Sequence, residues 1–281
     1  MLAHNGQTKC WIYLPEPEQL MPKRYDRTAS APTLEFMRCK DCDMYGLCRL
    51  ASNGEDANVT NALVKRRFVL RRGEYLYRSG DSFHEIYAVR HGSIKTYIYS
   101  DDGKTQITGF HGHGEIVGLD ALDGMRFASE AIVLETTNIC EVSFPHFQEL
   151  SRNIPELQNQ MLAIMSHAIL RGQQMMLLLG KKNATERLAT YLMSISRKID
   201  KNKLSLPSYK LTMSRRDVGN YLGLTQETVC RILARFQEDG IIKVEGKYIY
   251  FFDIDRLTEL TSQGRTEHVA DLFEPSPRCL T

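Results

Sequence analysis

No stretch of this sequence approaches the roughly 18 to 20 consecutive apolar residues that a membrane-spanning helix needs. The leading segment "MLAHNGQTKCWIYLPEPEQLMPKRYD" also has no apolar run of the kind a secretory signal requires, so a cytoplasmic protein without a membrane partner is expected. Charge of either sign is nearly cancelled: 36 Lys and Arg against 34 Asp and Glu leave a net charge of +2. That balance argues neither for nor against a nucleic-acid partner, and any basic surface has to be local. Cysteine is thin, at seven in 281 residues. In a reducing compartment such residues read as metal-binding, reactive or buried before they read as disulfides. Hydrophobic residues at 42% and charged residues at 25% are ordinary for a globular protein. The length allows two domains, each with a core.

What is present changes character along the chain. Residues 1–30 are polar and rich in proline. From about 64 to 144 short β-runs alternate with turns. Gly73 and Gly80 flank Tyr75, Leu76 and Tyr77, and "EIYAVRHGSIKTYIYSDDGKTQITGF" reads as strands closed by the turn "SDDGK". Ile94, Thr96 and Ile98 fall on one face of that hairpin, and Lys95, Tyr97 and Tyr99 on the other. Many short strands without long helices predict an antiparallel roll or barrel. From Pro145 the period becomes helical and continues for over forty residues, with Gly172 and Gly180 as possible breaks. Leu157, Met161, Ile164, Ala168 and Ile169 recur at three- and four-residue spacings. A helix of this length favours a dimer seam between two copies.

The C-terminal stretch "LTMSRRDVGNYLGLTQETVCRILARFQEDGIIKVEGKYIYFF" predicts two helices around a tight turn. Ser214 caps the first, with Asp217 near its positive end, and Gly223 makes the turn. Thr225 caps the second, Val229, Ile232, Leu233 and Phe236 form its inner face, and Gly240 ends it. Alternation around Glu245-Gly246 then reads as a two-stranded wing. In such a winged helix-turn-helix the second helix enters the major groove of duplex DNA. Glu227, Cys230 and Arg231 lie on its outward face. Arg231 can donate twice to guanine, Glu227 can accept from a cytosine amino group, and Cys230 offers a soft contact. Thr212, Ser214, Arg215, Arg216 and Lys247 are candidates for phosphate contacts.

One short segment concentrates the scarce cysteine. "FMRCKDCDMYGLC" holds Cys39, Cys42 and Cys48, three thiols where a closed tetrahedral site needs four. Among Cys10, Cys140, Cys230 and Cys279, Cys230 is committed to the recognition helix and two lie in the termini. Cys140, in "TTNICEVSF", is therefore the preferred fourth, on the strand face of Val142 and Phe144. Zinc and an iron–sulfur cluster both accept four thiolates. One close pair, a third cysteine beyond it and a fourth across the domain fit a larger cube better, and Arg38, Lys40 and Arg49 would offset the thiolate charge with either guest.

With these pieces assembled, residues 36–255 resemble the FNR branch of the Crp/FNR transcription regulators. The carriers are "CKDCDMYGLC", "IYAVRHGSIKTY", "GKTQITGFHGHGEIVGLDA", "LLLGKKNATERLA" and "LTMSRRDVGNYLGLTQETVCRIL". The resemblance implies an α+β chain with a cyclic-nucleotide-binding-like β-roll, a long dimerisation helix and a C-terminal winged helix-turn-helix. Expected bounds are 1–56 for the cysteine-bearing segment, 57–150 for the roll and 151–184 for the helix. The DNA-binding domain comes next at 185–265, with a tail at 266–281. It also implies that Cys39, Cys42, Cys48 and Cys140 hold a [4Fe–4S] cluster that oxygen degrades, weakening a DNA-binding homodimer. The implied operator is an inverted repeat of TTGAT-like half-sites, with Glu227 and Arg231 at base-reading positions. RNA polymerase is the implied protein partner, through the hairpin tip Asp101-Asp102-Gly103-Lys104.

The chain departs from the family pattern at two positions. Cys230 stands where a serine is usual, which bears on half-site preference. Gly172 stands where well-known members carry an acidic residue, so repulsion between monomers is expected to be weaker. A cyclic-nucleotide-responsive regulator is the first alternative, since Gly114-Glu115 and Arg126 match a ribose–phosphate seat. Phe127, however, follows that arginine where a small hydroxyl residue belongs. A zinc-stabilised, constitutive DNA-binding protein is the second. An enzyme has little support, because His111 and His113 lack a matched nucleophile and read as solvated loop residues.

Overall fold

The computed structural model describes residues 42–52, 63–197 and 208–261. The expectations for the leader, for Cys10, Cys39 and Cys279, and for the tail 266–281 lie outside these residues.

Two four-stranded antiparallel sheets form the roll. One has the order β1 (Val64–Leu70), β8 (Thr137–Ser143), β3 (Glu85–His91), β6 (Ile116–Val117). The other has the order β2 (Tyr75–Tyr77), β7 (Glu130–Val133), β4 (Ile94–Tyr99), β5 (Thr105–His111). The sequence is rich in β-branched and aromatic residues at these positions, which suit a half-buried pleated surface. Leu70, Phe83, Ile86, Val89, Ile94 and Ile139 are fully buried between the sheets. The turn from β3 to β4 needs glycine: Gly92 has φ +91°, and a Cβ there would lie 2.7 Å from the Thr136 carbonyl oxygen and collide with the Thr137 side chain.

The expected alternation along β4 holds, with Lys95, Tyr97 and Tyr99 on the face towards the reading head. The pairing with β5 is bulged at Thr108, since Thr96 pairs with Gly109 and Tyr97 with Ile107. Tyr97 then donates to Glu130 at 2.5 Å and shares a 3.2 Å hydrogen bond with Tyr75.

Helices and a wing complete the frame. Helix α1 (Tyr45–Ala51) carries the cysteine segment, and α2 (Phe144–Ser151) follows β8 with Ser143 as its N-cap. The long helical run divides into α3 (Pro155–Lys181) and α4 (Ala184–Arg197). Neither glycine makes the break. Asn183 does: its side chain accepts from the Glu186 N–H at 3.0 Å, and the Glu186 carboxylate accepts from the Asn183 N–H at 2.8 Å. This reciprocal pair starts a new helix. The reading head continues with β9 (Ser208–Lys210), α5 (Arg215–Leu222) and α6 (Gln226–Glu238). It closes with β10 (Ile242–Glu245), β11 (Tyr248–Phe251) and α7 (Ile254–Glu259). Strand β9 pairs with β11, so the wing has a third strand that the alternation around Gly246 does not reveal.

Helix α3 joins two cores. Leu157, Met161 and Ile164 are buried with α1 and the roll, while Leu178 is buried with the reading head. Of the five residues assigned to a dimer seam, these three therefore face the subunit's own core. Ala168 is half-buried, and Ile169 is 61% exposed on a different face. One step past Ala168 turns the helix by roughly 100°, so the five do not share a face. The free apolar stripe is Leu162, Ile169 and Met176, exposed by 63%, 61% and 67% and repeating every seven residues. Gly172 lies between Ile169 and Met176, with open space around an added Cβ.

Phe83 anchors the roll, with its ring 5.6 Å from Phe127 and 5.1 Å from Phe144. Phe83→Ala should cost about 3–5 kcal/mol in chemical denaturation followed by far-UV circular dichroism. A loss below about 1 kcal/mol would mean that the cavity collapses and the aromatic cluster is not a structural keystone.

Candidate functional site

The cysteine site is built where α1 meets the roll. Met44 and Leu47, each 1% exposed, turn the buried face of α1 into the first core. The start of the segment is pinned to the turn after β5. Gly114 O accepts from the Asp43 N–H at 2.9 Å and from the Cys42 thiol at 3.6 Å. That turn is itself tied to β3 by Gly114 N–H to Val89 O at 2.8 Å and Val89 N–H to Glu115 O at 3.0 Å. Cys48 is buried in α1. Cys140 is buried in β8, opposite Arg67 on one neighbouring strand and Ala88 on the other.

Burial pushes the Cys42 thiol up to about 12. The Met44 backbone N–H opposes this, whereas Cys48, Cys140 and Asp43 raise it further. Three cysteines from two distant parts of the sequence are thus electrostatic neighbours, and each disfavours a thiolate on the next. Among the described residues, no group of three or more His, Cys, Asp or Glu side chains could hold a metal ion. Cys39 lies outside the described residues.

The DNA-reading candidates sit on a rigid frame. Ser214 and Asp217 form a full capping box on α5: Asp217 N–H donates to Ser214 Oγ, and Ser214 N–H to the Asp217 carboxylate, both at 3.0 Å. Thr225 caps α6 by accepting from the Thr228 N–H at 3.2 Å. Gly223, at φ +63°, makes the turn between them. Val229, Ile232, Leu233 and Phe236 are buried as expected. Glu227 and Arg231 are exposed and Cys230 half-exposed on the opposite face. The backbone N–H and the Thr225 hydroxyl bonded to it lower the Glu227 carboxyl, keeping it an ionised acceptor. Arg235, one turn beyond Arg231, shares this exposed face. Its spacing of four is the signal that reading only the helix N-terminus misses.

The proposed phosphate contacts fall into two groups. Arg216 and Lys247 are exposed and Arg215 half-exposed. Thr212 is half-buried and Ser214 exposed, and each also bonds within the protein. Ser93 Oγ donates to Thr212 Oγ1 at 2.7 Å, and Ser214 serves the capping box.

The Thr212 contact belongs to a seam between the head and the hairpin β4–β5. Lys95 pairs with Asp217 at 2.6 Å. Asn220 accepts from the Ile107 N–H at 2.6 Å and donates to Thr105 O at 2.7 Å. Gln106 donates to the Asn220 carbonyl at 2.9 Å. Burial works against charge on Asp217, but the bonds from Lys95 and Ser214 outweigh it and hold the carboxyl below its usual range. Beneath these contacts Phe110 packs edge-on against Tyr221, with ring centroids 5.1 Å apart.

An aromatic side chain stands where the small hydroxyl residue of a phosphate seat is expected, beside a cavity of about 390 Å³ lined by Tyr77, Glu115 and Ser129 among others. Phe127, 3% exposed, stacks on Tyr77 with centroids 3.8 Å apart and planes inclined by 12°. Arg126 points away, donating to Gly80 O at 2.7 Å. His111 ends β5 and is bonded to Thr96 Oγ1 at 3.1 Å, so the expectation of a solvated loop histidine does not hold for it. The tip Asp101-Asp102-Gly103-Lys104 is exposed and closed on itself by Lys104 to Asp102 at 2.5 Å.

A β-roll joined by a long helix to a winged helix-turn-helix defines a transcription regulator, which is not an enzyme. Residues 67–153 match the cyclic nucleotide-binding domain family, and residues 186–260 the Crp-like helix-turn-helix domain family. The transcriptional activator protein Anr of Pseudomonas aeruginosa is 43% identical over 234 residues, which cover 83% of this chain and 96% of that protein. The fumarate and nitrate reduction regulatory protein of Escherichia coli is 40% identical over 235 residues, covering 83% and 93%. Among solved structures, FixK2 of Bradyrhizobium japonicum superposes with a TM-score of 0.66 at 30% identity, covering 71% of this chain and 98% of that one. The chain belongs to the Crp/FNR family of transcription regulators, in its FNR branch. No helix among the described residues is long and apolar enough to cross a membrane.

The raised thiol gives a pH signature. In the folded apo protein Cys42 stays protonated up to about pH 12, whereas in the unfolded chain it ionises near 9.0. Below that value both states are protonated and the contribution to stability is fully present. Across the window the unfolded state loses its proton first, so stability falls as pH rises, by at most about 1.4 kcal/mol per pH unit. Denaturation of apo protein and of Cys42→Ser across this window should show the steeper decline in the wild type. Parallel curves would refute it.

Proposed function

We propose that this regulator senses oxygen through a [4Fe–4S] cluster held by Cys39, Cys42, Cys48 and Cys140. On this reading it acts in the cytoplasm as a homodimer that reads inverted repeats of TTGAT-like half-sites when oxygen is low. The observation that carries the proposal is the meeting of Cys42 and Cys48 on the α1 segment with Cys140 on β8. Cys48 and Cys140 are close enough to shift the protonation of Cys42. One close pair, a third cysteine beyond it and a fourth across the domain suit a polynuclear cluster better than zinc. The donor set is also right, since four thiolates are the ordinary ligands of such clusters. A relative in the same branch is named for fumarate and nitrate reduction.

When bound, the cluster supplies an oxidant-sensitive link between the α1 segment and the roll. The protein's own side chains supply the rest. Met44 and Leu47 seat α1 in the same core as Leu157, Met161 and Ile164 of α3, so order at the cysteines bears directly on that helix. The free stripe Leu162, Ile169 and Met176 is the seam proposed for the partner copy, its seven-residue repeat being that of a coiled-coil contact. Glu227, Cys230 and Arg231 are proposed to read bases, with Thr212, Ser214, Arg215, Arg216 and Lys247 on phosphates. The exposed tip Asp101-Asp102-Gly103-Lys104 is the proposed contact with RNA polymerase. The cyclic-nucleotide alternative is disfavoured by Phe127, which stacks on Tyr77 at the position where a small hydroxyl residue is expected.

Replacing Cys140 by Ala should abolish iron and sulfide retention after anaerobic reconstitution, while circular dichroism remains that of the folded chain. A full complement of iron in that variant would refute the ligand assignment, and stoichiometric zinc in colourless wild-type protein would refute the cluster.

The DNA reading has its own test. Arg231→Ala should weaken operator binding by about 1–3 kcal/mol and relax preference at one base pair. Fluorescence anisotropy with operator and scrambled duplexes measures both effects. An equal loss on the two duplexes would assign Arg231 to phosphate.

A further inference from the structure

One guanidinium occupies the junction between the long helix and the reading head. Arg187 on α4 donates from Nη2 to Leu179 O at 2.7 Å, from Nε to Lys182 O at 2.8 Å and from Nη1 to Leu222 O at 3.1 Å. Leu179 lies in the last turn of α3, Lys182 comes directly after that helix, and Leu222 is the last residue of α5. Such carbonyls have no partner within their own helices and form the negative ends of the helix dipoles. A planar cation with donors in a fixed fork suits them, and a bond to a charged donor is stronger than a neutral one.

The residue after Leu222 gives these bonds directional meaning. Gly223 makes the turn that sets the angle between α5 and α6, and a Cβ there would lie 3.2 Å from Arg187 Nη1. The guanidinium thus touches the end of α3 and the pivot of the recognition helix at once. Lys182 reinforces the same corner by donating to Thr190 Oγ1 and to Thr261 O beyond α7, both at 2.9 Å.

We infer that Arg187 is a positioning residue for DNA recognition, fixing the angle of α6 relative to α3 by bridging the carbonyl ends of α3 and α5. This rests on the proposed reading of inverted-repeat DNA. A dimer on such a site must present two recognition helices one helical turn of DNA apart, about 34–36 Å. A head free to swivel on its hinge meets both half-sites in fewer of its orientations. The bond from Lys95 to Asp217 and those of Asn220 hold the other end and the middle of α5 to the roll. Loss of Arg187 is therefore a loss of angle with the head still docked.

The test uses the full chain, reconstituted anaerobically, with Arg187→Met and Arg187→Lys. The probes are duplexes with TTGAT-like inverted repeats at the family spacing, the same repeats one base pair closer and one base pair further apart, and a scrambled duplex. Arg187→Met should bind the family-spaced operator on the order of tenfold more weakly, with unchanged affinity for scrambled DNA and with discrimination between spacings largely lost. Arg187→Lys should recover part of the affinity without recovering that discrimination, since an ammonium group cannot span three carbonyls in a fixed plane. If the Met variant fails to fold, the Lys variant carries the same comparison. Wild-type affinity and wild-type spacing discrimination in either variant would overturn the inference. A proportional loss on all duplexes would overturn it too, because that is the mark of general destabilisation. Wild-type protein that does not distinguish operator from scrambled DNA would instead remove the DNA reading on which the inference stands.

Discussion

Helix α3 is buried at its two ends in two different cores, and the architecture depends on that constraint. Leu157, Met161 and Ile164 belong to the core that also contains Cys48 and Cys140, and Leu178 to the core of the reading head. At about 1.5 Å per residue, the 27 residues of the helix span roughly 40 Å. A packed helix is stiff over that distance because each turn is tied to the next by backbone hydrogen bonds. Its two buried ends cannot adjust independently. A change in how α1 packs is therefore felt where α3 ends, and there the chain supplies a corner of hydrogen bonds in place of a flexible linker.

The electrostatics of the thiol site point the same way. Alone, the protein makes a poor home for thiolates: burial, the neighbouring cysteines and Asp43 all favour the protonated form of Cys42. Ligation must expel those protons, and a cationic guest is what makes their loss favourable. The site is thus costly to ionise without a guest and stable with one. For the proposed oxidant sensor that asymmetry would be useful, because loss of the guest would leave neutral thiols with no electrostatic reason to stay together. The core residues Met44 and Leu47 then have to hold α1 without the crosslink.

Much of this is legible in the sequence wherever a local rule and the tertiary structure agree. Ser214, Thr225 and Gly223 predict their caps and their turn, because capping depends on a few adjacent residues. The hairpin around Asp101–Lys104 is legible for the same reason. Cys140 is singled out only by a counting argument, since nothing about an isolated strand cysteine marks it as a ligand, and its role as one stays a proposal. The failures have equally definite causes. Periodicity finds an apolar face without saying which partner covers it, so it assigns Leu157, Met161 and Ile164 to a second copy although the subunit's own roll buries them. Glycines are the obvious places to seek the helix break, while the sequence "NATE" carries it through Asn183 and Glu186. Arg187 gives no signal, because the three carbonyls it serves belong to backbone and leave no side-chain pattern.

Phe127 stands where a phosphate seat would need a small hydroxyl residue. It stacks on Tyr77, while Arg126 is bonded to Gly80 O. Beside that stack a cavity of about 390 Å³ stays open between the roll and α3, lined by Tyr77, Glu115, Ser129 and Arg171 among others. Helix α1, which bears two of the cysteines, packs on both the roll and α3. On the proposed reading, a group held between α1 and the roll would therefore act on that packed contact. The same rigid roll also gives Lys95, Gln106 and Ile107 a fixed platform for the reading head, which a roll that reshaped itself around a nucleotide would not provide.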